Sequence, residues 1–313
     1  MKIGILTFHA AQNYGAVLQC RCLYEVLRGL GHEVHVLDYR PAFLTEPYKL
    51  WKNAYLKHPL PLLKVAWKLT GALRRRRGFA DFEKTFSPVP CRTEGFDAIV
   101  FGSDQIWNTS LTNGDLTFFG KGFNGKKIAY GASDGGEIEF SDEIKDLLNS
   151  FEYITCRETS LAEKIKKLGV TVPVSAVSDP VFFLSKEDWL KIAVLPKERN
   201  YVLAYKISDR PDFDEQTEKL GEQLGKKVIQ IVYVKSLRKL FYKKQHFAES
   251  ISPEQFVGYF ANADYVITTS FHGTAFSILF EKPFYVLSFK KRSERITELL
   301  NKYNFENRYI DSL

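Results

Sequence analysis

The chain reads as an α/β protein made of two nucleotide-fold halves, and three observations carry that reading. At 313 residues, with 45% hydrophobic and 14% aromatic content, it is long enough for two domains that each bury a core. Its first forty residues alternate as strand, helix and strand, the order of a βαβ unit. After Ser178-Asp179-Pro180 that rhythm lapses, and it restarts at Tyr201. The expected domains are 1–185, with a basic and aromatic excursion at 42–78, and 186–313.

Lys2 to Phe8 is a predicted strand. Gly15 to Leu30 is a predicted helix, because Val17, Leu18, Leu23, Val26, Leu27 and Leu30 recur on one face. Gly31 supplies the stop, and His32 to Tyr39 the next strand. No GxGxxG lies between strand and helix, so a dinucleotide site is not supported. The loop His9-Ala-Ala-Gln-Asn13-Tyr14-Gly15 suits a turn ahead of a helix, or equally one wall of a ligand cleft. His32 and His35 read as strand-surface residues.

Between Lys49 and Gly78 stand nine positive charges and no acid, so the net charge of +7 is one local patch on a slightly acidic remainder. That distribution excludes a nucleic-acid surface spread over the fold. Trp51, Tyr55, Leu56, Leu60, Leu62, Leu63, Val65, Trp67 and Leu69 interleave with the lysines. Amphipathic helices on an anionic membrane surface and an excursion with a solvated basic face both fit. Phe79, Phe82 and Phe86 have the spacing of a helix docking back on the body.

Phe96 to Phe101 is a buried strand opening onto Gly102-Ser103-Asp104-Gln105, where a cap or a ligand contact explains Ser103 and Asp104 equally. Lys127 to Tyr130 runs into Gly131-Ala-Ser133, and Phe151 to Thr155 into Arg157-Glu-Thr-Ser160 ahead of the helix Leu161 to Leu168. A cation at a helix start opposes the helix dipole, which points to an anion-binding role for Arg157. In the second half the strands are Tyr201 to Lys206, Val228 to Val234, Tyr265 to Thr269 and Phe284 to Phe289. The helices are Asp212 to Leu224, Pro253 to Ala261 with Ser252 as N-cap, Thr274 to Phe280 and Ile296 to Tyr303. Ser270, Phe271, His272 and Gly273 form the junction between strand and buried helix, aiming free N–H groups at the carboxyl edge where open α/β sheets bind ligands. The architecture implied is two Rossmann-like domains facing across a cleft, glycosyltransferase-B-like.

Cys20, Cys22, Cys91 and Cys156 show neither CxxC nor zinc spacing and read as reduced and structural. The start lacks the apolar run of a signal peptide, and no window approaches a membrane span. A cytoplasmic protein, peripheral at the inner membrane face if 49–78 binds lipid, is the expectation.

Six motifs then coincide in order: Asn13-Tyr-Gly-Ala16, Gly102-Ser-Asp-Gln-Ile-Trp-Asn108, Tyr130-Gly-Ala-Ser133, Arg157-Glu-Thr-Ser160, Asp179-Pro180 and Asp264-Tyr-Val-Ile-Thr-Thr-Ser-Phe-His-Gly-Thr-Ala-Phe-Ser277. On these the chain resembles the polysaccharide pyruvyl transferase family over nearly its whole length outside Ala42 to Arg77. The resemblance implies a glycosyltransferase-B-like fold and transfer of pyruvyl from phosphoenolpyruvate to two hydroxyls of a sugar. The product would be a ketal on a cell-surface polysaccharide or its lipid-linked precursor. Donor and acceptor are then the partners, with no cofactor and no metal. His272 is the expected acid/base, with Asp104 as a base on the sugar side. Arg157, with N–H groups near Ser270, Gly273 and Thr274, would hold anionic groups of the donor. Asn13, Tyr14, Gly15, Ser103 and Gln105 would face the sugar. Characterised members carry an arginine two places before the histidine, where this chain has Ser270, so Lys290, Lys291 or Arg292 are substitutes for that charge. A nucleotide-sugar glycosyltransferase and a non-catalytic glycan-binding relative are the alternatives.

Overall fold

The computed structural model describes residues 1–48, 62–92, 94–136, 139–207, 210–233, 245–288 and 293–313, without the side chains of 62–68 and 245. Lys290, Lys291, Arg292 and the aromatic and basic residues of 49–61 lie outside the described residues. Contacts divide the chain into two units: Met1–Tyr48 with Glu83–Leu184, and Lys49–Phe82 with Ser185–Leu313.

Among the described residues the first unit holds a seven-stranded sheet. Its strands are β1 (Lys2–Leu6), β2 (Glu33–Asp38), β3 (Val89–Pro90), β4 (Ala98–Phe101), β5 (Lys126–Ala132), β6 (Tyr153–Cys156) and β7 (Val174–Ala176). They run parallel in the order β3-β2-β1-β4-β5-β6-β7. The chain winds outward from β1 through β2 on one side and from β4 on the other, so a topological switch point lies between β1 and β4. Covering helices explain why β4 is buried at every position, with no polar alternation. Tyr14–Gly29 is the first of these helices, and Phe101, Trp107, Phe119 and Phe151 form one aromatic cluster within the core.

The second unit repeats the winding. Its strands are β8 (Tyr201–Tyr205), β9 (Lys227–Val232), β10 (Gln245–Glu249), β11 (Tyr265–Thr268), β12 (Phe284–Leu287) and β13 (Tyr309–Ile310), parallel in the order β10-β9-β8-β11-β12-β13. Its switch point is between β8 and β11. Tyr205, Phe256, Phe260, Phe276 and Trp189 pack edge to face or tilted, with centroids 4.7 to 6.2 Å apart. The Pro253–Asn262 helix starts as its sequence predicts: Ser252 Oγ accepts from Gln255 N, and Gln255 Oε1 accepts from Ser252 N at 2.9 Å.

The excursion differs from expectation in its allegiance. Residues 42–48 stay with the first unit, whereas the described residues 62–82 group with the second. The helix Leu62–Glu83 buries Gly71, Arg75, Phe79 and Phe82 on one stripe. Arg75 Nη1 donates to the Tyr233 carbonyl at 3.0 Å, with its guanidinium 5.4 Å from the Tyr233 ring. Gly78 lies so close to Ser252 that an added Cβ would sit 3.0 Å from the serine Cβ. Leu73, Arg74, Arg76 and Arg77 stay exposed on the opposite face. No described helix is long and apolar enough to cross a membrane.

Candidate functional site

The predicted site residues fall into two groups, one at the switch point of each sheet. In the first unit, Asn13 is the N-cap of the Tyr14–Gly29 helix, its Oδ1 accepting from Ala16 N at 3.4 Å. This is the turn-and-cap reading of that loop. Tyr14 is fully buried and Gly15 lies buried in the first turn, so neither opens to solvent as a sugar contact would.

Ser103 anchors the centre of a buried network. Thr7 Oγ1 donates to its carbonyl at 2.9 Å, its N–H donates to Gln19 Oε1 at 3.1 Å, and its Oγ donates to the Gly131 carbonyl at 2.8 Å. Gly102 makes this junction feasible: with φ +121°, an added Cβ would stand 2.2 Å from the Tyr130 carbonyl oxygen. Asp104 follows with φ +80°, a conformation a short acidic side chain tolerates by bonding locally; its Oδ1 accepts from Gln105 N at 2.8 Å. Its carboxylate and the Gln105 side chain are partly exposed.

Arg157 reaches this group from the end of β6. Nη2 donates to Ser103 Oγ at 2.8 Å and pairs with Asp179 Oδ2 at 2.8 Å, while Nη1 lies 3.6 Å from Asp104 Oδ1. The Arg157 and Asp179 side chains are 2% and 0% exposed, so this ion pair is shielded from water. Burial works against the arginine charge, but Asp179, Asp104 and Glu158 outweigh it and hold the guanidinium above its ordinary value. Three carboxylates around one cation leave this edge net negative. The expected role of Arg157 as the cation for a doubly anionic donor therefore meets an electrostatic objection. Its surroundings suit neutral hydroxyls instead. Glu158 itself accepts from Ser133 Oγ at 2.7 Å.

Two features of this edge were not legible. Asp179 appears in a quoted motif, yet nothing in the sequence pairs it with Arg157. His9 Nε2 lies 2.9 Å from Asp38 Oδ1 and 3.8 Å from Glu83 Oε1, a set whose ligand atoms sit within 4.8 Å and could hold a metal. Arg40 already pairs with both carboxylates. Burial raises the Asp38 carboxyl, but His9 and Arg40 bring it below its ordinary value.

In the second unit the organising stretch forms the helix Phe271–Leu279 directly after β11. Ser270 is its N-cap, the hydroxyl accepting from Gly273 N at 3.3 Å. The helix thus begins at Phe271, three residues earlier than the glycine suggests. Gly273 is needed for close approach rather than for a turn: an added Cβ would stand 2.3 Å from Thr268 Oγ1. That hydroxyl donates to the Tyr205 carbonyl at 2.7 Å and accepts from Ser270 N at 3.0 Å. Thr274 Oγ1 donates to the Ser270 carbonyl at 2.9 Å, so Thr274 closes the cap. His272 sits in the first turn, 8% exposed, its ring 5.2 Å from that of Phe271. Ser270, His272, Gly273 and Thr274 are therefore assembled at one helix start. A histidine there can donate or accept a proton next to oriented N–H groups.

No curated protein matches the sequence. Among solved structures, a putative UDP-N-acetylglucosamine 2-epimerase from Listeria monocytogenes superposes with a TM-score of 0.54 at 11% identity, over 99% of this chain and 92% of its own. The S. aureus MnaA–UDP structure gives 0.53 at 10% identity, over 98% and 86%. The UDP-GlcNAc 2-epimerase from Methanocaldococcus jannaschii gives 0.50 at 12%, over 99% and 88%. At these identities the likeness concerns the fold alone, which is the glycosyltransferase-B-like class of two Rossmann-like units. The polysaccharide pyruvyl transferase family model matches residues 13–290, a span that holds both switch-point groups from Asn13 to Thr274, and the chain belongs to that transferase family.

Proposed function

We propose that the protein moves the pyruvyl group of phosphoenolpyruvate onto two hydroxyls of a sugar, in a cell-surface polysaccharide or its lipid-linked precursor. The observation that carries this reading is His272, held by the Ser270 cap at the helix start beside the β8–β11 switch point. C3 of the donor gains a proton and becomes a methyl group, which makes C2 electrophilic. Each sugar hydroxyl forms one C2–O bond and loses its proton, and the C2–O bond to phosphate breaks. Of the two protons released, one balances that taken up at C3 and the other leaves with phosphate. His272 is the group proposed to move the proton at C3.

The net-negative edge of the first unit suits the acceptor. Asp104, partly exposed and oriented by its bond to Gln105 N, accepts from a sugar hydroxyl and takes its proton. Gln105 adds a neutral donor and acceptor beside it. Arg157 orients Ser103 and Asp104 rather than gripping the donor.

Phosphate release from phosphoenolpyruvate in the presence of diol-bearing glycosides tests the reading. His272→Asn should lower turnover by about 10²–10⁴-fold with the fold retained. Full activity in that variant returns His272 to a packing role.

The exposed residues Leu73, Arg74, Arg76 and Arg77 support a second element of the proposal, peripheral contact with an anionic membrane face where lipid-linked acceptors lie. Each exposed arginine near such a surface contributes on the order of 1 kcal/mol, screened by salt. Flotation with vesicles containing anionic lipid should fall when Arg74, Arg76 and Arg77 become Gln. Binding that ignores both salt and those substitutions contradicts it.

A further inference from the structure

Asn108 closes the motif that begins at Gly102, and the fold uses only half of its side chain. Its Oδ1 accepts from Leu111 N at 2.9 Å, a local cap of the turn that follows. That bond fixes which end of the amide is oxygen, so Nδ2 with its two N–H donors faces the other way. Among the described residues Nδ2 has no hydrogen-bond acceptor, and Asn108 is half-buried.

The turn after β5 sets what Nδ2 faces. Gly135, with φ +80°, comes so close that an added Cβ would stand 2.6 Å from Asn108 Nδ2 and 2.9 Å from Gln105 Nε2. The two amide nitrogens are thus at most 5.5 Å apart, the sum of those distances. The turn is firmly held: Gly135 N donates to Ser133 Oγ at 3.3 Å, Asp134 Oδ1 accepts from Gly136 N at 2.8 Å, and Asp134 Oδ2 pairs with Lys164 Nζ at 2.9 Å. Ser133 N also donates to the Asp104 carbonyl at 3.0 Å, which ties this turn to the Asp104 segment. A bare glycine turn, two side-chain amides and Asp104 therefore share one corner of the carboxyl edge.

We infer that Asn108 is a specificity-determining residue of the acceptor site, its Nδ2 donating to a neutral oxygen of the sugar, a hydroxyl or an acetamido carbonyl. This rests on the pyruvyl-transfer reading for the place of the acceptor, and it adds the group that tells one sugar from another. Gly135 leaves the amide in place, where any side chain would push it aside.

Asn108→Asp keeps an acceptor for Leu111 N and removes the donor. Wild type and variant are compared for pyruvyl transfer from phosphoenolpyruvate to methyl hexosides, with and without an acetamido group, and to their monodeoxy analogues. Binding of the same glycosides is read by calorimetry and by the side-chain amide NMR signal of Asn108. Wild type should prefer a parent glycoside about tenfold, as kcat/KM, over the analogue lacking the contacted oxygen. Asn108→Asp should lose that preference and keep the others. A variant that slows all glycosides alike, or that keeps every preference, overturns the inference and leaves the functional reading standing. If wild type binds a hexoside but transfers no pyruvyl, the functional reading fails; the Asn108 contact then stands if its amide signal shifts and falls if it does not. If wild type neither binds nor uses any of these glycosides, both fail. Should Asn108→Asp not fold, Asn108→Ser decides by the same criterion, because serine is neutral and can accept from the same N–H.

Discussion

Arg157 and Asp179 form an ion pair that neither residue could sustain alone inside the first unit, because an unpartnered charge at that depth is expensive. Asp179→Ala should destabilise the protein by about 3–5 kcal/mol. Replacing both partners by apolar residues of similar volume should cost much less, and denaturant unfolding of the two variants checks the contrast. Equal losses would mean that the charge of the pair does not carry its contribution to stability. The acid response follows from Asp38, whose carboxyl is depressed below its ordinary value by His9 and Arg40 despite burial. A group depressed in the folded state adds stability above its unfolded value, near 4, which is lost as pH falls through the lower folded value. Asp38→Asn should therefore flatten the acid limb of stability below about pH 4, as thermal melting across that range would show. At this scale the sequence was informative about single positions and not about sums of charge. Arg157 stands at a helix start as read, but Asp104 and Asp179 arrive from the segments after β4 and β7, and their carboxylates surround it.

The Phe271–Leu279 helix shows why the elements were readable and their boundaries less so. A glycine between strand and helix suggests a turn, yet Gly273 is helical, and its missing side chain lets the helix sit on the Thr268 hydroxyl. Gly273→Ala should cost about 1–3 kcal/mol, the range for overpacking, because Thr268 is tied to the Tyr205 carbonyl and cannot retreat. In a Thr268→Ala background the same substitution should cost clearly less, and a double-mutant cycle measures the difference. Equal costs would place the strain elsewhere. The long strands and helices were legible because apolar runs and 3.6-residue periodicity persist over them. The strands β3, β7 and β13 were not, since two or three residues carry no period and Val89–Pro90 includes a proline at an edge position, and the five-residue β10, Gln245–Glu249, was not read either.

Across the whole chain, two sheets of the same winding order follow from two blocks of strand–helix alternation, which is why the fold class was visible from residue patterns. The allegiance of the basic excursion was not, because the partners of Arg75 and Gly78 are Tyr233 and Ser252, far along the chain. Family membership makes the molecule a transferase, and the two switch-point groups carry the chemistry proposed for it. On the proposed reading the first unit supplies the hydroxyl-accepting edge around Asp104, and the second supplies His272 at a capped helix start. The most direct test supplies phosphoenolpyruvate, or UDP- and GDP-sugars, with a panel of diol-bearing glycosides and measures transfer by mass spectrometry. The account predicts a pyruvyl ketal on the acceptor and equimolar phosphate from phosphoenolpyruvate, both lost in His272→Asn. Transfer of a sugar from a nucleotide donor, with phosphoenolpyruvate inert, would contradict it.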